Sequence, residues 1–240
     1  MDNLLEELQT YLSSSQRCIT LTGSGGKTTC MIALAKAYAH KDNRVLVSTT
    51  TKLVGPDKQE YGCDTYFFDE RVLSYHPSRG ERVFYTHLAQ KAVAPPLENL
   101  EALLDRYDVV VLEGDGSMNL GLKLHVERDP VVPSFTTATI CLASFSLLGE
   151  PFRKNCFGSE HYTDAFPDSL VTLETYERLL HHGQGILKSA QGKTVVLFNQ
   201  CREEDLQQCK KLSLMDLPSQ QYALWFGSLK ANKLIYRKPV

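Results

Sequence analysis

Residues 18–29 read C-I-T-L-T-G-S-G-G-K-T-T, and the fold follows from them. A β-branched apolar run enters three glycines, then Lys27 and two threonines, then a helical pattern. Each part has a physical task. Glycines permit positive φ, so successive N–H groups can turn toward one point and form an anion-binding nest. A helix that begins near Lys27 adds the positive end of its dipole to the same point. Lys27 would reach the outer phosphates of a nucleotide as a point charge, and Thr28 would offer its hydroxyl to Mg²⁺. Gly23, Ser24, Gly25, Gly26, Lys27, Thr28 and Thr29 are therefore the candidate phosphate-binding residues. The spacing is a variant: the common pattern G-x-x-x-x-G-K-[ST] wants glycine where Leu21 stands. A glycine-rich turn ahead of an ordinary helix would use the same residue types, but strand, glycines, Lys-Thr and helix in this order favour the phosphate loop.

Working outward, short apolar runs alternate with helical patterns. Strands are predicted at residues 18–22, 44–48, 65–68, 82–85, 108–112, 139–143, 194–198 and 223–226. Runs such as V-V-V-L and V-V-L-F are apolar at every position, as strands are when helices cover both faces of a parallel sheet. Helices are predicted at 28–40, 97–107, 173–182 and 203–212, the third capped by Thr172. Leu4, Leu5, Leu8 and Leu12 make an apolar stripe near the N-terminus. The expected fold is α/β: a P-loop NTPase-like three-layer sandwich with a mostly parallel central sheet, in one domain spanning residues 1–240. Residues 147–168 have no period and are expected to form a long functional loop.

Ligands of open α/β sheets gather at the carboxyl ends of strands, so the residues just past each run carry the candidate chemistry. After 108–112 come Glu113 and the turn G-D-G-S. Glu113 is the candidate metal-side carboxylate, with Asp115 as base or second metal ligand; an ordinary polar turn would look much the same. After 44–48 comes T-T-T-K, where Thr50 and Lys52 are candidates for contact with phosphate, although threonine also simply favours β structure. After 194–198 comes Asn199-Gln200. Many GTPases read guanine with N-K-x-D at such a place; here Gln200 and Arg202 replace the Lys and the Asp. Asn199 would either touch a base or cap the next turn.

The bulk properties exclude several classes. Net charge is −2 with no run of five like charges, so nucleic acid and anionic membranes are not the expected partners. No apolar stretch approaches a membrane span, and the acidic N-terminus is not a signal peptide. Seven cysteines without C-x-x-C spacing fit neither a disulfide framework nor a four-thiolate zinc site. A cytoplasmic protein is expected.

The loop resembles the T-G-T-x-G-K-T-T loop of Mur-type peptide ligases. A more specific resemblance comes from the series L-T-G-S-G-G-K-T-T (21–29), V-L-V-S-T-T-T-K (45–52), V-V-V-L-E-G-D-G-S (109–117) and L-K-L-H-V-E-R-D-P-V-V-P (122–133), with L-F-N-Q and W-F-G-S-L further on. Together these resemble the YqeC family, accessory proteins of selenium-dependent molybdenum hydroxylases. The resemblance implies a P-loop fold binding ATP or GTP with Mg²⁺, a role in maturing such a hydroxylase, and that hydroxylase or its cofactor-maturation proteins as partners. The family often has E-A-D-G where this chain has E-G-D-G, and commonly N-K-x-D where it has N-Q-C-R. Lys123 and Glu127 recur in the family and alternate with His125, so on an extended segment they would share one face; Lys123 and Glu127 are therefore candidates for contact with substrate or the γ-phosphate, although a solvated ion pair reads equally well. Cys156 and His161 are better read as packed or exposed residues than as a metal site. Three functions follow as expectations: a nucleoside triphosphate hydrolase using Lys27, Glu113 and Asp115, a small-molecule kinase or ligase, and a nucleotide-switched binding module.

Overall fold

A computed structural model describes residues 3–12, 18–88, 92–167, 169–219 and 222–238. In chain order the elements are α1 (Leu4–Leu12), β1 (Cys18–Gly23), α2 (Lys27–Ala39), β2 (Val45–Thr49), β3 (Thr65–Phe67), β4 (Arg82–Tyr85), β5 (His87–Leu88), β6 (Ala92–Val93), α3 (Leu97–Leu103), β7 (Val109–Glu113), β8 (Leu122–Lys123), β9 (Ala138–Ser144), α4 (Phe152–Asn155), β10 (Cys156–Phe157), α5 (Leu173–His181), β11 (Lys193–Asn199), α6 (Leu206–Ser213), β12 (Tyr222–Ser228) and β13 (Lys233–Arg237). Nine strands form one sheet in the order β13-β12-β11-β9-β1-β7-β2-β4-β3. Every neighbour pair is parallel except β12 with β13.

Alternating residues of these strands feed separate cores, which makes the three layers. Ile19, Leu21, Val45, Val47, Val109, Val111, Ile140 and Leu142 face one side and pack with α1 and α2. There Leu4, Leu8 and Leu12 are fully buried, so the N-terminal leucine stripe is a packed face, with Leu5 partly buried against it. On the opposite side, Cys141, Val196, Phe198 and Phe226 pack with α5 and α6, while Leu46, Val83, Val110 and Leu112 pack with α3. Between those two cores β1 presents Thr20 and Thr22, both inaccessible to solvent. The chain from Gly114 onward covers them: an added Cβ on Gly114 would lie 2.9 Å from Thr20 Cγ2.

The eight predicted strands are present, and Thr172 caps α5 in a reciprocal capping box with Thr175. The predicted helix at 97–107 ends at Leu103, with Tyr107 buried in the α3 core. Residues 147–167 are more than loop. They contain α4 and β10, β10 pairs in parallel with β8, and Phe152, Cys156 and Phe166 are core residues. Spaced aromatics with no period gave no strand or helix signal, yet they bury enough apolar area to fix the segment. Residue 168, the last of the predicted loop, lies outside the described residues. Among the described residues no helix is long and apolar enough to cross a membrane.

Candidate functional site

The carboxyl ends of β1, β7, β2 and β9 meet in one place. Register aligns Leu21 with Glu113, and Glu113 with Thr49, so the glycine turn and the carboxylate are neighbours. Gly23, Gly25 and Gly26 have φ of 86°, 81° and 132°. Glycine is also required sterically: an added Cβ would lie 2.2 Å from Leu142 O at Gly23 and 2.6 Å from Ser144 N at Gly25.

The amides of this turn divide into two sets. Gly23 N–H donates to Asp115 Oδ2 at 3.0 Å, and Ser24 N–H donates to Leu142 O at 2.8 Å; both anchor the turn. Among the described residues no group accepts from the amides of Gly25, Gly26, Lys27, Thr28 or Thr29. These are the orphan donors of the α2 N-terminus, and those five residues line one cleft. The buried hydroxyl of Ser24 also lacks a partner. An oriented set of free N–H groups at a helix N-terminus is the arrangement that holds an anion.

The Lys27 ammonium is held above the turn, donating to Gly23 O at 2.6 Å and lying 3.2 Å from Asp115 Oδ1 and 4.0 Å from Glu113 Oε1. Thr28 Oγ1 donates to Glu113 Oε2 at 3.1 Å. A hydroxyl and a carboxylate in contact beside an anion nest match what Mg²⁺ takes from protein: one or two oxygen ligands, the rest coming from water and phosphate. Among the described residues no group of three or more His, Cys, Asp or Glu is arranged to hold a metal. Burial pushes the Glu113 carboxyl above its usual range, against the opposing pull of Lys27 and Thr28.

Asp115 lies two residues on in a different environment. It is fully buried and accepts at Oδ2 from Gly23 N–H and from His125 Nε2 at 2.8 Å, with the Lys123 ammonium 3.1 Å away as an ion pair. Its Oδ1 has the charge of Lys27 nearby without hydrogen-bond geometry. Burial would raise its pKa, but Lys27, His125 and Lys123 together outweigh burial and hold it at about 2. His125 is fixed from behind, with Nδ1 2.9 Å from Gly185 O. Acceptors thus stand at both ring nitrogens, which fixes the ring between Asp115 and the Gly185 carbonyl. Lys123 is completed by Asp129 and the Gly116 carbonyl. Asp115 is thereby the hub of a buried ion cluster that orients Lys27 and the glycine turn.

The structure distributes the other sequence candidates unevenly. Lys52 is exposed and lines the cleft. Thr50 is committed to the scaffold, since its hydroxyl donates to Val131 O at 2.6 Å. Asn199 is a buttress for the turn: its amide donates to Gly25 O at 2.8 Å and its carbonyl accepts from Leu229 N at 2.9 Å. Glu127 does not join Lys123. It is exposed and outside the cleft lining; the chain turns at residues 126–129, where Asp129 N–H donates to Val126 O, and Asp129 takes the place beside Lys123. Asp129, His125 and Ser117, whose hydroxyl is 3.4 Å from Lys27 Nζ, were not among the sequence candidates. Only the alternation of His125 with Lys123 hints at one of them; Ser117 and Asp129 come from a stretch without period that folds under β1.

A mostly parallel sandwich with a glycine turn leading into a helix, and a carboxylate strand beside it, defines a P-loop NTPase-like fold. Comparison with known proteins then gives the family. Residues 19–160, more than half the chain, match the family described as YqeC protein, and the chain belongs to that family. It is also similar to a protein of Escherichia coli (strain K12) described as "Uncharacterized protein YqeC". The two are 27% identical over 239 aligned positions, covering 92% of this chain and 90% of the other.

Proposed function

We propose that this protein binds a nucleoside triphosphate, ATP or GTP, with Mg²⁺ and hydrolyses it. The carrying observation is the row of unpaired amides from Gly25 to Thr29 beside the Lys27 ammonium. The polyphosphate chain would lie on those amides, where no donor has to be stripped of another partner first. Lys27 neutralises charge growing on the transferred phosphoryl group, and Asp115 keeps that ammonium in place. Thr28 and Glu113 would hold Mg²⁺, which supplies further charge neutralisation when bound. Glu113 also stands where it can order an attacking water.

The resemblance noted from the sequence adds a biological setting: turnover supports maturation of a selenium-dependent molybdenum hydroxylase, with that enzyme or its cofactor-maturation proteins as partners. The test is phosphate release by the purified chain with Mg²⁺ and each nucleotide. Release above background that falls about a hundredfold in Lys27→Ala supports hydrolysis. Equal release by parent and variant contradicts it.

A further inference from the structure

The cleft is larger than one nucleotide requires. Its volume is about 2020 Å³, against about 300–1,000 Å³ for ordinary small-molecule sites. The phosphate turn stands between two halves with different walls. Toward β9 and β11 the wall is mixed and polar, with Asn119, Ser144, Asn155 and Gln200. Toward β2 and β3 it is apolar: Leu53, Tyr61 and Ala92, each less than a tenth exposed, lie at depth, and Val54 and Leu88, both 52% exposed, stand at the rim.

A nucleotide anchored by its phosphates on one turn extends its nucleoside in one direction only. The Thr28–Glu113 pair marks the metal side, and Glu113 ends β7, the strand next to β2. The terminal phosphate therefore lies toward the β2 half and the nucleoside toward β9 and β11, leaving the apolar half open beside the reacting end. That half also carries Lys52 and Lys58, both exposed and neither in an ion pair among the described residues. Asp57, in the same segment, folds back onto its own turn, with Oδ1 2.4 Å from where a Gly55 Cβ would stand.

We propose that the half of the cleft walled by Leu53, Val54, Tyr61 and Leu88 binds a second small molecule, an organic anion with an apolar body, alongside the terminal phosphate. The apolar body gains from leaving water against Leu53 and Tyr61, and its anionic group meets Lys52 or Lys58. The proposal rests on the nucleotide reading and specifies it further: the site takes two ligands at once.

The test uses anilinonaphthalene sulfonate, an apolar organic anion, as the probe. Its fluorescence is titrated into the full chain with and without saturating Mg²⁺ and ATP, GTP or inorganic tripolyphosphate. The expected result is one bound dye that persists at saturating nucleotide. Its affinity should fall at least about tenfold in Val54→Asp and Leu88→Asp, because a carboxylate at the rim opposes an apolar anion. Both residues are half exposed, so both variants should fold, as circular dichroism would check, and their nucleotide affinity should match the parent's. Displacement of dye by ATP or GTP but not by tripolyphosphate would put the nucleoside in this half and overturn the proposal, as would unchanged dye binding in both variants. If the nucleotides bind and the dye does not, this proposal alone falls; if neither the nucleotides nor tripolyphosphate binds, the nucleotide reading falls with it.

Discussion

Replacing Asp115 with asparagine removes one negative charge from the centre of the buried cluster and changes almost no volume. Lys27 and Lys123, 4% and 3% exposed, then stay buried with one counter-charge fewer. Taking one partner out of a buried ion pair costs about 3–5 kcal/mol. The lower end applies here, since the asparagine oxygen still accepts from Gly23 N–H and Asp129 still faces Lys123. An independent figure comes from the carboxyl itself. Held at about 2 in place of 3.8, its ionisation contributes about 2 kcal/mol at neutral pH. A loss of about 3 kcal/mol lowers the melting temperature of a chain this long by about 6–12 °C. The folded-state value is depressed, so this contribution is complete above the unfolded value near 3.8 and disappears as pH falls through about 2. Thermal unfolding followed by circular dichroism at pH 7, and then from pH 5 down to pH 2, measures both effects. The parent should lose its advantage over Asp115→Asn across the acid range. Equal melting temperatures at pH 7, or parallel acid profiles, would refute the cluster as described.

The neighbouring carboxylate should behave in the opposite way. Burial raises Glu113, so folding disfavours its charge; the penalty begins above the unfolded value of 4.5 and is complete above the raised folded one. Glu113→Gln should therefore melt higher than the parent at pH 7 while losing Mg²⁺-dependent phosphate release; a lower melting temperature would count against the assignment. Asn199→Ala leaves Gly25 O and Leu229 N without their partner, at about 1–3 kcal/mol each, and should weaken binding of ATP and of tripolyphosphate alike in calorimetry. A loss confined to one base would instead make Asn199 a base contact. Gly25→Ala forces a side chain to 2.6 Å from Ser144 N at φ 81° and should abolish tripolyphosphate binding, with unchanged affinity as the contrary result.

Much of this was legible in the chain because some stretches carry several constraints at once. In residues 18–29 every position has a steric or electrostatic task, and the structure brings strand, positive-φ glycines and helix together in that order. V-V-V-L-E was legible for the same reason: an all-apolar run demands a central strand, and the charge that ends it falls at the strand's carboxyl end. The ion cluster was only partly legible. Asp115 stood out as a base or metal ligand and Lys123 as a phosphate-side residue, but that His125 and Asp129 join them in one buried cluster follows only from the 114–136 chain folding beneath the threonines of β1. Asn199 shows the same limit from another side. An asparagine after a strand looks identical whether its amide faces a ligand or a backbone carbonyl, and only the proximity of Gly25 decides. In residues 147–167 the information lies in Phe152, Cys156 and Phe166, whose partners are distant in sequence, and β13 is a half-exposed edge whose mixed residues resemble a surface loop.

The amides of residues 25–29, with the Lys27 ammonium, are proposed as the seat for a polyphosphate chain. The most direct measurement is a calorimetric titration of the parent and Lys27→Ala with ATP, GTP and inorganic tripolyphosphate, each with and without Mg²⁺. One site per chain is expected, with binding of tripolyphosphate itself, strengthening by Mg²⁺, and loss of about tenfold or more in the variant. No heat with any of the three ligands, or affinity indifferent to Lys27, would contradict this proposal.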